Sequence, residues 1–138
     1  MSVARRKGML AVVVLQIVLL SAPLRAQEGV EKLFPAQPTG YLTDVAGVID
    51  PGSAARIESI ARTLREKTGA ELAVVTLPTI DRFEASDVAL MIGRRWGVGA
   101  RAEVGDKIRN AGVVILLVPR REGQAGKIRI EVGDGLQG

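Results

Sequence analysis

The sequence predicts an α/β sandwich whose sheet is mixed, mostly parallel, and closed by an antiparallel hairpin at its C-terminal end. Three stretches carry that expectation. Val113 to Val118 is an unbroken run of β-branched and leucine side chains, the pattern of a strand buried on both faces. Lys127 to Val132 alternates charged and apolar residues, so Ile128, Ile130 and Val132 point one way and Lys127, Arg129 and Glu131 the other. Glu71 to Leu77 is a second apolar strand, and a helical pattern separates it from Val113, as in a βαβ crossover between parallel strands.

At 138 residues the chain is long enough for one domain with a substantial core. Its formal charge of +4 arises entirely from Arg5, Arg6, Lys7 and Arg25, because the remaining 15 cations balance 15 acids. With only four aromatic residues, Phe34, Tyr41, Phe83 and Trp96, the chain also lacks a stacking platform, so a nucleic-acid partner is not expected. Cysteine and histidine are absent, which removes disulfides, thiolate chemistry, the usual zinc ligands and histidine acid/base schemes.

Residues 1–26 read as an export signal peptide. Arg5, Arg6 and Lys7 form a positive start, Met9 to Leu20 an apolar core broken by Gln16, and Ala26 a small residue before cleavage. The apolar core is shorter than the ~20 residues that span a bilayer, which favours cleavage over retention as an anchor. Residues 27–40 hold Pro35, Pro38 and Gly40 without apolar periodicity and read as an extended linker. The folded domain is expected over residues 41–138.

Within it, Leu42 to Ile49 surrounds one acidic side chain, Asp44, with apolar residues. Asp44 is either a turn-former whose carboxylate binds backbone N–H groups or a cation ligand. Asp50 and Pro51 then start a helix, with Asp at the cap and Pro where its missing N–H costs nothing. Ile57, Ile60, Ala61 and Leu64 form its apolar face, and Gly69 ends it. A second helix carries Ala85, Val88, Ala89, Ile92 and Trp96 along one stripe and closes at Gly97. Pro119 to Gly126 is too short for a crossover helix, so the last two strands fold back on each other.

Between Gly97 and Gly112 a long polar loop brings Glu103, Asp106 and Asn110 to the start of the central strand. These are oxygen donors of the kind calcium prefers, although their spacing is not that of an EF-hand loop; solvated surface acids are the plain alternative. Gly97-Val98-Gly99 and Gly133-Asp134-Gly135 resemble fragments of a phosphate-binding glycine loop, but neither has its full pattern. Ser53, Ser59 and Ser86 have no histidine to activate them.

Taken together, L-T-D-V-A-G-V-I-D, G-A-E-L-A-V-V-T, R-R-W-G-V-G, N-A-G-V-V-I-L-L and R-I-E-V-G-D-G-L resemble the TPM domain. That family is named for a thylakoid lumen protein, a photosystem II repair protein and a modulator of an acetylcholine receptor. The resemblance, over about residues 39 to 137, implies an α/β/α sandwich on the outer side of a membrane, periplasmic or envelope-bound. Many bacterial relatives carry a membrane helix after the domain, which would supply a tether. The family normally continues beyond the G-x-G with at least one more sheet-packing helix. The resemblance therefore implies that the stretch ending at Gly138 is part of a longer domain, with part of one sheet face left apolar and uncovered.

For function, the resemblance implies divalent-cation binding in an acidic cleft, and a plant relative is credited with acid phosphatase activity. Asp44 matches the family's Thr-Asp-x-Ala-Gly aspartate, Asn110 with Gly112 its Asn-Gly, and Asp106 lies in the loop expected at the cleft. Asp134 stands where an aromatic is usual and Gln137 where Glu is usual; the latter removes a charged donor and would weaken a hard-metal site unless Asp134 restores the charge. The expected metal set is thus Asp44, Asp106, Asn110 and Asp134, holding Ca²⁺ or Mg²⁺. The first reading is a non-enzymatic exported module acting in assembly or quality control of envelope or membrane proteins. The second is a metal-assisted phosphatase, with Arg129 or Lys107 balancing charge. The third is a structural domain without a ligand.

Overall fold

The computed structural model describes residues 29–100 and 110–137. The leader at residues 1–26, and Glu103, Asp106 and Lys107 of the long loop, lie outside the described residues. The elements run β1 (Leu42–Asp44), α1 (Pro51–Thr68), β2 (Glu71–Thr76), α2 (Ala85–Trp96), β3 (Gly112–Val118) and β4 (Lys127–Val132), with short 3₁₀ turns at Val30–Lys32 and Asp134–Leu136. The sheet order is β1-β2-β3-β4; the first three strands are parallel and β4 returns antiparallel to β3. The mixed sheet and terminal hairpin are those expected from the sequence. β1 is an addition, since three residues are too few to leave a periodic signal.

Register assigns the faces. Thr43, Val75, Leu116 and Arg129 lie side by side across the sheet, as do Leu42, Val74, Ile115 and Ile130 on the other face. Val88, Ala89 and Ile92 of α2 form the core with Ala73 and Val75 of β2, Leu77 just after it, and Val114, Leu116 and Val118 of β3. α1 packs on β1 and β2. Its Ala61 is fully buried yet lies outside the cluster that α2 forms, which places α1 over the Leu42 and Val74 face. One helix therefore covers each side of the sheet.

Helix ends follow the sequence chemistry. Asp50 accepts a hydrogen bond from Ser53 N–H at 3.0 Å, Pro51 opens α1, and Gly69 ends it in the left-handed conformation. Ile60, expected on the apolar face of α1, is instead 56% exposed, while Ile57, Ala61 and Leu64 are buried or half-buried as expected.

Two stretches differ from expectation in a way that matters. From Gly29 onward, the segment read as an extended linker is packed into the domain: Val30 and Phe34 are buried in the core. Phe34 meets Trp96 edge to face at 5.8 Å, and the Trp96 indole N–H donates to the Pro35 carbonyl at 3.0 Å. An aromatic anchor in an otherwise polar, proline-bearing segment gives no periodicity to detect. On the other face, α1 reaches only the β1 and β2 side. Ile128 and Ile130 are 69% and 55% exposed, beside half-buried Leu117 and Ile115, so an apolar strip over the β3–β4 hairpin is open among the described residues.

Candidate functional site

The loop from α2 to β3 and the turn after β4 meet at the N-terminal end of β3. Gly99 lies so close to Gly112 that a Cβ there would overlap the Gly112 backbone nitrogen. A Cβ on Gly133 would overlap the Asn110 carbonyl oxygen. Three segments thus cross backbone on backbone, and only glycine permits the approach. The two Gly-x-Gly fragments that resemble phosphate loops are the closing surfaces of this crossing.

Hydrogen bonds tie the crossing together. Asn110 N–H donates to the Gly99 carbonyl at 2.9 Å, Gly133 N–H to Gly112 at 2.8 Å and Gly135 N–H to Asn110 at 3.3 Å. Gly99 N–H donates to the Glu71 carboxylate at 2.7 Å, and Arg65 pairs with the same carboxylate at 3.4 Å. Asn110 adopts φ of 59°, a left-handed conformation that asparagine tolerates better than most residues.

Above the crossing lies an open cleft of about 360 Å³, between the C-terminal end of α2 and the strand–turn junction after β4. Asn110, Asp134, Glu131, Arg94 and Gln137 line it, and so does Ala100 at the other end of the 101–109 loop. Glu131 is engaged by Arg129 at 2.8 Å, and the Gln137 amide donates to the Val132 carbonyl at 3.0 Å. Asn110 and Asp134, both exposed, are the oxygen donors that face the cleft without such engagement. The helix end adds the negative pole of the α2 dipole, which favours positive charge.

Asp44 is elsewhere. It closes β1 at the C-terminal end of the parallel strands, beside Thr76, whereas Asn110 precedes β3. The length of β2 separates the two ends, about 17 Å at 3.3 Å per residue. There the Thr76 hydroxyl donates to Asp44 Oδ1, and the N–H groups of Val48 and Ile49 donate to the carboxylate at 3.2 and 3.0 Å. Burial works to raise the Asp44 pKa, but the Thr76 hydroxyl and the N–H groups of Ile49, Val48 and Gly47 outweigh it and hold the carboxyl below its ordinary value. This is the turn-forming geometry.

The four expected ligands therefore do not converge as a set. Asn110 and Asp134 come together, Asp44 stands apart, and Asp106 lies outside the described residues, within a loop whose two ends border the cleft. Among the described residues no group of three or more Asp or Glu side chains is placed to hold a metal ion. The donor chemistry fits a hard cation, but Asn110 and Asp134 supply only one charged ligand. Glu71 and Glu131 were not singled out by sequence reading; the alternation of β4 placed Glu131 on a face but could not say that α2 shares that face.

A small α/β sandwich whose glycine crossing shapes a cleft at the head of its central strand is the class that fold and site define. The TPM domain profile matches residues 42–138, and the chain belongs to the TPM domain family. Among solved structures, the chain is similar to the solution NMR structure of the N-terminal domain of a protein from P. gingivalis. The two share 31% identity with a TM-score of 0.57, over 72% of this chain and 57% of that one. The chain thus spans little more than half the length of that relative. Comparison with curated proteins finds no match.

Proposed function

We propose that this TPM domain is an exported, non-enzymatic binding module that takes Ca²⁺ or Mg²⁺ in the cleft at the head of β3 and serves assembly or quality control of envelope proteins. The observation that carries the cation reading is the convergence of Asn110, Asp134 and both ends of the 101–109 loop on one cleft. In sequence that loop holds Glu103 and Asp106, further oxygen donors of the kind calcium prefers. Export and the envelope setting rest on the leader sequence and on the family. No helix among the described residues is long and apolar enough to cross a membrane, so a tether would be contributed by chain outside them.

Calorimetric titration of the full chain with CaCl₂ and MgCl₂ tests the proposal, with Asp134→Ala and Asn110→Gly as site variants. Glycine keeps the left-handed backbone at position 110 while removing the amide. Saturable heat that both variants abolish is the expected result. Absence of heat from a folded chain contradicts it, and cation-dependent hydrolysis of a phosphomonoester would transfer the cleft to the phosphatase reading.

A further inference from the structure

Strand β4 is an outer strand of the sheet among the described residues, and its register fixes which of its backbone groups point outward. Gly133 N–H donates to Gly112, so Gly133 and Gly112 form a hydrogen-bonded antiparallel pair. Counting back along β4 in steps of two, Glu131, Arg129 and Lys127 turn their backbone groups to β3. Val132, Ile130 and Ile128 turn theirs away from it. Of these outward groups, the Val132 carbonyl accepts the Gln137 amide; the others have no backbone partner among the described residues. β4 carries no proline or bulge to blunt that edge, whereas β1 at the other edge is only three residues long.

We infer that this edge is a self-pairing surface, and that its partner is β4 of a second copy of the chain, running antiparallel about a two-fold axis at Ile130. Backbone parity allows only pairings in which outward residues meet outward residues. With Ile130 opposite its own copy, Arg129 falls opposite Glu131 of the second copy, twice by symmetry, and Ile128 opposite Val132. The neighbouring symmetric registers fail on charge. Centring on Arg129 sets arginine against arginine, centring on Glu131 sets glutamate against glutamate, and centring on Ile128 sets Lys127 against Arg129. Centring on Val132 sets Ile130 against Asp134 and leaves Arg129 without an acidic partner, so the Ile130 register alone pairs both Arg129 and Glu131 with opposite charges. Gln137 competes for the Val132 carbonyl, so the central Ile130 pair forms first. The inference is independent of the cation reading, which draws on Asn110 and Asp134.

Oxidative cross-linking of the full chain tests it against a clean background, because the natural sequence has no cysteine. A hydrogen-bonded antiparallel pair sets the two Cα atoms about 5.5 Å apart, within disulfide range. Ile130→Cys should therefore form a covalent dimer. Ile128→Cys should not, because its copies lie four residues out of step, about 13 Å apart. Adding Arg129→Glu to Ile130→Cys should abolish the dimer, and adding Glu131→Arg to that pair should restore it, with circular dichroism confirming that each variant is folded. A monomeric Ile130→Cys, cross-linking of Ile128→Cys at the same rate, indifference to Arg129→Glu, or failure of the charge swap to restore the dimer would each overturn the inference. A monomeric Ile130→Cys whose thiol resists alkylation would mean that something other than a second copy covers the edge, and would overturn it equally.

Discussion

The Thr76 hydroxyl, fully buried, donates its hydrogen bond to Asp44 and so joins the C-terminal ends of β1 and β2 through side chains as well as through the strand ladder. The same oxygen accepts from Ala46 N–H at 3.1 Å, which makes Thr76 the hub of the turn that leads into α1. Asp44 is thereby a builder of the fold.

Thr76→Val keeps the shape of the side chain and removes both roles. The hydrogen bond to the Asp44 carboxylate is lost and the Ala46 N–H is left without its acceptor, so stability should fall by about 2 kcal/mol in urea denaturation at neutral pH. The pH dependence follows from the depressed Asp44 pKa. A carboxyl whose folded value lies below its ordinary value of 3.8 contributes its full stabilisation above that value. The contribution is lost as pH falls through the folded value. The difference between the natural chain and Thr76→Val should accordingly narrow below pH ~3.8 and stay constant above pH ~5.

The glycine crossing makes a prediction that separates close approach from backbone conformation. Gly133→Ala drives a methyl group onto the Asn110 carbonyl oxygen and should cost about 3 kcal/mol. Gly123 in the hairpin turn has φ of 72° and open space within 4 Å of where a Cβ would stand, so Gly123→Ala should cost only about 1 kcal/mol. Equal losses in thermal melts would mean that the crossing is looser than described.

Phe34 tests whether the segment before β1 belongs to the domain. Its ring is buried against Trp96, and Phe34→Ala should cost about 3 to 4 kcal/mol, with a red shift of the Trp96 emission as water reaches the indole. A segment that were merely a linker would give neither change.

Sequence legibility followed the strength of local periodicity. The run of β3, the alternation of β4, the stripe of α2 and the Asp50 cap each declare themselves within a few residues, and the parallel order of β2 and β3 follows from the helix between them. What the sequence hid was long-range. Phe34 reaches a tryptophan 62 residues away in the chain (34 to 96), and no local pattern announces such a contact. The candidate site was half legible for the same reason. Asn110 and Asp134 precede β3 and follow β4, so an antiparallel hairpin must bring them to one end. Asp44 ends β1, and a parallel strand carries it to the opposite end from Asn110. Treating the four residues as one set overlooked that parity. The alternation of β4 puts its charges on one face, but which face is solvent depends on α2 and α1: Ile128 and Ile130 are 69% and 55% exposed, the Arg129 and Glu131 side chains 45% and 26%.

The central claim is a cation held at the head of β3, and residue-by-residue NMR of the ¹⁵N-labelled chain during calcium addition tests it most directly. Saturable shifts should concentrate on the amides of Asn110, Gly133, Asp134 and Gly135, while Val48 and Ile49, whose N–H groups bind Asp44, remain in place. Shifts centred on Val48 and Ile49, or none at either end of the sheet, would contradict it.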